Sequence, residues 1–134
     1  MPPALDHLGI AVRDLDAACR RYAALGLEPA GREVVAHEQV EVAMLPLADG
    51  RIELLCPTSN ASSVARFLER RGEGLHHLAL RVPDLPAAIA RARAVGLKLV
   101  KDEIQIGAGG HRYVFVHPAS TGGVLVELVE ETAP

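Results

Sequence analysis

Near the start of the chain, apolar Leu8, Ile10 and Val12 alternate with His7, Gly9 and Ala11, the period of a strand with one packed face. His7 lies off the main apolar stripe. Asp14 stands where a helix N-cap belongs, and Leu15, Ala18, Cys19 and Tyr22 follow at helical spacing until Gly26 supplies the stop. The same strand-then-helix pattern returns 70 residues later, where residues 75–97 match residues 5–27 at 12 of 23 positions. In this copy Asp84 is the cap, Pro86 falls in the tolerant first turn, Leu85, Ala88, Ile89 and Ala92 form the buried stripe, and Gly96 ends the helix. The chain is a tandem duplication.

Each copy then turns to strands. In the first, Val40, Val42 and Met44 alternate with Gln39, Glu41, Ala43 and Leu45; Pro46 stops the run, Asp49-Gly50 signals a hairpin, and residues 51–55 form the next strand. In the second, a strand from His111 to His117 is stopped by Pro118, and a Ser120-Thr121-Gly122-Gly123 turn leads into a strand through Glu127. Between the halves, Ser62 or Ser63 starts a short helix that Gly72 ends. The predicted fold class is α+β. A first βαβββ module covers 4–57, a helical connector 58–74 and a second βαβββ module 75–131, within one domain of residues 1–134. Neither half has enough apolar area to stand alone. The two are therefore expected to pack about a pseudo-twofold axis, as a curved, partly closed mixed sheet around a metal cleft with helices outside.

Strand parity identifies the polar groups for that cleft. His77 shares a face with Ala79 and Arg81, whereas its neighbour His76 shares one with Leu78, Leu80 and Val82, so His77 is the counterpart of His7. Each half also closes with a glutamate in an apolar strand, Glu53 between Ile52 and Leu54 and Glu127 between Val126 and Leu128. Two buried carboxylates repel each other and lose hydration unless one is protonated or a cation lies between them. Two imidazoles and two carboxylates suit a borderline transition metal such as Co²⁺, Zn²⁺, Mn²⁺, Fe²⁺ or Ni²⁺, since Ca²⁺ and Mg²⁺ prefer oxygen alone. Aligning Pro46 with Pro118 makes Tyr113 the partner of Glu41, so Glu41 has no carboxylate counterpart. Read as lying on the cleft parity of its strand, it is a candidate for proton transfer, beside the alternative of a solvated strand glutamate. The Gly107–Arg112 loop reads first as a flexible turn whose amides and Arg112 could meet an anionic group.

Composition narrows the classes further. A net charge of -3 with 12 scattered arginines and 2 lysines leaves no footprint for nucleic acid. No apolar run is long enough to span a bilayer, and the start lacks a basic segment followed by an apolar one, which predicts a cytoplasmic protein. Cys19 and Cys56 make neither a disulfide framework nor the paired spacing of a zinc site.

The strings Asp6-His7-Leu8-Gly9-Ile10-Ala11-Val12, Arg71-Gly72-Glu73-Gly74-Leu75-His76-His77-Leu78-Ala79, Gly107-Ala108-Gly109-Gly110 and His117-Pro118 through Gly122-Gly123-Val124-Leu125-Val126-Glu127-Leu128 resemble the methylmalonyl-CoA epimerases of the vicinal oxygen chelate superfamily. The resemblance covers nearly the whole chain. It implies a paired-module βαβββ fold, a homodimer, an acyl-CoA substrate and a bound divalent ion that is commonly Co²⁺. Carried over by residue, it implies His7, His77 and Glu127 as metal ligands, Glu53 at a fourth ligand position that some members fill with glutamine, and Glu41 as a catalytic carboxylate. The implied reaction interconverts (2R)- and (2S)-methylmalonyl-CoA by α-proton abstraction through a metal-stabilised enolate, with Glu127 as the nearest second acid–base group. Two other readings use the same residues, a glyoxalase-type lyase and a metal-free small-molecule binder. A ring-cleaving iron dioxygenase fits less well, because four protein ligands leave fewer open positions than a 2-His-1-carboxylate site.

Overall fold

The computed structural model describes residues 2–131, which fall into two compact units: residues 7–76, and residues 2–6 together with 77–131. In chain order the elements of the first half are β1 (Ala4–Ala11), α1 (Leu15–Ala24), β2 (Gly31–Val35), β3 (Val40–Pro46) and β4 (Arg51–Pro57). The connector helix α2 (Ser63–Arg71) follows, and then β5 (Gly74–Val82), α3 (Leu85–Ala94), β6 (Gln105–Ile106), β7 (Arg112–Val116) and β8 (Val126–Glu130). Both halves are βαβββ, as the repeat predicts.

The predicted caps are in place for the stated reason. Asp14 accepts a hydrogen bond from the Ala17 amide and Asp84 from the Ala87 amide, each satisfying one orphan N–H of the first turn. Ser62 does the same for Val64, and Gly72 ends α2 at φ 78, a backbone region that favours glycine.

Within the first unit the strand order is β2-β3-β4-β1, with β3 antiparallel to both neighbours and β1 parallel to β4. The second unit repeats it as β6-β7-β8-β5, again with its first strand, β5, parallel to its last, β8. Each helix covers one face of its own sheet. Leu15, Ala18 and Cys19 of α1 pack on Val12, Ala43, Leu45 and Leu54, with Ile10, Ile52 and Cys56 alongside. Leu85, Ala88 and Ile89 of α3 pack on Val82 and Val114, with Leu128 alongside. No helix among the described residues is long and apolar enough to cross a membrane.

The pattern in the sequence did not locate β2, whose Gly31–Val35 run is largely exposed, or β6, which is two residues long. Both are edge strands with one neighbour. An edge strand buries little, so its side chains need not alternate sharply.

Leu54 is fully buried between α1 and the sheet. Leu54→Ala is expected to destabilise the protein by about 2–5 kcal/mol, the range for emptying a packed leucine site. Chemical denaturation followed by circular dichroism measures the loss.

Candidate metal centre

The helix-free face of each sheet carries one imidazole and one carboxylate, and the parallel outer strand pair brings them together. In the first unit the register sets His7 beside Arg51 and Gly9 beside Glu53. With Ile10, Val12, Ile52 and Leu54 committed to α1, pleating turns His7, Gly9, Arg51 and Glu53 to the other side. The Glu53 side chain lies toward His7, whose Nε2 is 3.5 Å from Oε1. In the second unit Ala79 pairs with Glu127 in the same way, and His77 Nε2 lies 3.0 Å from Glu127 Oε1. A small residue, Gly9 or Ala79, therefore stands beside the glutamate in each half. All four polar side chains are buried, at 3% exposure for His7, 5% for Glu53 and 8% for His77 and Glu127.

The surroundings of the two glutamates differ. Phe115 is the cross-strand neighbour of Glu127, and its ring meets the His77 imidazole edge-on at 5.2 Å, backed by Tyr113 at 5.5 Å. Met44 takes the corresponding place beside Glu53. The Arg51 guanidinium grips one Glu53 oxygen with two nitrogens, Nε at 2.9 Å and Nη2 at 2.7 Å from Oε2. Nη2 also lies 3.5 Å from His7 Nδ1. Counting two residues back from each glutamate, the second half has Leu125 where the first has Arg51.

Buried nitrogen and oxygen donors set side by side fit a borderline divalent ion. A carboxylate so far from water needs a compensating charge, which Arg51 supplies to Glu53 and a bound cation would supply to Glu127. Nitrogen and oxygen together favour a transition metal over Ca²⁺ or Mg²⁺.

Glu41 is a correction. Its cross-strand partner is Cys56, whereas Glu53 pairs with Met44. Directly opposed residues share a face, so Glu41 belongs with Ala43, Leu45 and Cys56 on the α1 side, and the face of Glu53 receives Val40, Val42 and Met44 instead. Alternation along β3 is real, but two apolar stripes run along this strand, and choosing between them needs the register with β4. Burial and the nearby Glu41 charge both push the Cys56 thiol up from its ordinary value.

Arg112 pairs through Nη1 with Glu130 at 3.2 Å. In the glycine loop before it, a Cβ on Gly107 would stand 2.9 Å from the Tyr113 ring, and Gly109 takes φ 72. Sequence reasoning passed over Arg51. The available signal was its place two residues before Glu53 in a strand, which puts both on one face.

A sequence profile described as the glyoxalase/bleomycin resistance protein/dioxygenase superfamily matches residues 6–115, and the chain belongs to that superfamily. Its near-full-length similarities include proteins named as epimerases. The ethylmalonyl-CoA/methylmalonyl-CoA epimerase of Cereibacter sphaeroides is 38% identical over 127 residues, covering 92% of this chain and 95% of that protein. The human mitochondrial methylmalonyl-CoA epimerase is 34% identical across 92% of this chain and 72% of its own length. Among solved structures, the Mycobacterium tuberculosis methylmalonyl-CoA epimerase superposes with TM-score 0.93 at 40% identity, covering 97% of this chain and 89% of that one. A methylmalonyl-CoA epimerase in complex with methylmalonyl-CoA and NH₄⁺ gives TM-score 0.94 at 37% identity, covering 99% of this chain and 97% of the other.

The cross-strand placement of Glu41 can be checked through its neighbour. Removing its charge with Glu41→Gln takes away one cause of the raised thiol, so Cys56 should react faster with iodoacetamide at mildly alkaline pH, read by mass spectrometry of the Cys56 peptide. The sign in stability follows. A thiol raised in the folded state contributes fully below its unfolded-chain value and loses that contribution as pH rises through the folded value, so Glu41→Gln should make the alkaline loss smaller. Unchanged alkylation would place the two side chains apart.

Proposed function

We propose that this protein is a metal-dependent epimerase that interconverts (2R)- and (2S)-methylmalonyl-CoA, with His7, Glu53, His77 and Glu127 as ligands of one divalent cation. The observation that carries this reading is the buried imidazole–carboxylate pair repeated at matched positions in the two halves. The named relatives support the substrate class: acyl-CoA epimerases align over nearly all of this chain. Family resemblance supports Co²⁺ as the ion and a homodimer as the working form.

The reaction removes a proton from the carbon between a thioester carbonyl and a carboxylate, then returns one to the opposite face. A divalent ion at such a centre supplies Lewis-acid stabilisation of the charge that develops on the substrate's oxygens. The protein's own groups supply the rest. An imidazole that ligates an ion commits its lone pair to it, which leaves the carboxylates as the groups able to carry a proton. Glu127 is the proposed carrier. Phe115 beside it is an apolar wall that limits water, and a drier setting strengthens each electrostatic contact made there. With Glu41 turned to the helix side, a second acid–base group has to come from this polar face or from an ordered water.

Incubating the purified protein with a single epimer of methylmalonyl-CoA in D₂O tests the proposal. Racemisation at the α-carbon with solvent deuterium incorporation is expected; a chelator should abolish it and added Co²⁺ restore it. Glu127→Gln should lower α-proton exchange by at least about 100-fold, the scale of a positioned acid–base group. Exchange that persists undiminished in metal-free protein, or no exchange with Co²⁺ present, would overturn the assignment.

A further inference from the structure

Arg51 brings a guanidinium into direct contact with a proposed ligand set that otherwise repeats between the halves. Its geometry is specific. Two of its nitrogens, Nε at 2.9 Å and Nη2 at 2.7 Å, converge on the same oxygen, Glu53 Oε2. The other oxygen, Oε1, lies toward His7 Nε2 at 3.5 Å. The carboxylate is therefore divided into a held oxygen and a presented one. The arginine side chain is three-quarters buried, so this contact is shielded from the solvent screening that weakens surface pairs.

The backbone brings the three side chains within reach of one another. Residues two apart on β4 share a face, and the parallel register sets Arg51 directly beside His7, so the guanidinium reaches Glu53 and approaches His7 Nδ1 at once. A planar fork suits this better than a point charge.

We infer that Arg51 is a positioning residue that fixes Glu53 as a ligand through Oε1 alone. The inference rests on the function proposed above. Without Arg51 the carboxylate would be free to rotate, to offer both oxygens, or to turn away from His7, and the ion's coordination would change with it. Groups that orient ligands from behind commonly contribute a 10–100-fold factor to metal affinity. The second half has Leu125 at the matching position, and there Phe115 packs against the His77 ring beside Glu127.

The experiment uses Co²⁺ alone, added to full-length apoprotein, with affinity from calorimetric titration and coordination from the visible d–d absorption. Arg51→Met should bind Co²⁺ about 10–100-fold more weakly and alter the d–d band. Arg51→Lys, which keeps the charge but not the fork, should recover affinity only in part. In a Glu53→Gln background the further change Arg51→Met should have little effect, because the residue through which it acts has lost its charge. Affinity within twofold of the starting protein with an unchanged band would overturn the inference, as would an equal loss in both backgrounds. If the unaltered protein develops no d–d band at all, the metal assignment itself fails, a result distinguishable from failure at Arg51 alone. Circular dichroism of each variant separates a folding defect from a coordination change.

Discussion

The parallel pairing of the first and last strands in each half is the constraint on which the placement of the buried histidines and glutamates depends. A parallel register sets residue i of one strand beside residue j of the other and keeps i+2 beside j+2 on the same face. A histidine early in the first strand and a glutamate in the last are thereby placed diagonally, one small residue apart, on the side the helix does not cover. Neither side chain alone implies a site. Their repeated diagonal relation, in a buried layer, is what makes a donor set.

The helices secure that relation from behind. By packing on Ile10, Val12, Ile52 and Leu54 in one half and on Val82, Val114 and Leu128 in the other, α1 and α3 fix which face is available for polar groups. A one-residue slip of β1 or β5 would exchange the faces and put an imidazole under a helix. Much of the apolar packing energy thus also specifies where the polar groups lie.

Most of this was legible in the chain itself. The repeat, the aspartate caps at Asp14 and Asp84, the choice of His77 over His76 and the orientation of both glutamates follow from period and parity. β3 resists that reading. Val40 and Val42 are buried on one side and Ala43 and Leu45 on the other, so local alternation could not say which side Glu41 takes, and only pairing with Cys56 decides it. Arg51 was hidden for a different reason: its role lies in a contact with a residue already assigned, and a search for symmetry overlooks what only one copy possesses.

That single-copy arginine bears on any attempt to idealise the protein. Averaging the two halves into a common template, as is done when repeat proteins are redesigned, would let Leu125 set the choice at residue 51. The resulting chain would keep its caps, its core and both histidines. Yet Glu53 would stay buried without its guanidinium, so an ancestral-looking compromise would preserve the architecture while leaving one carboxylate unheld.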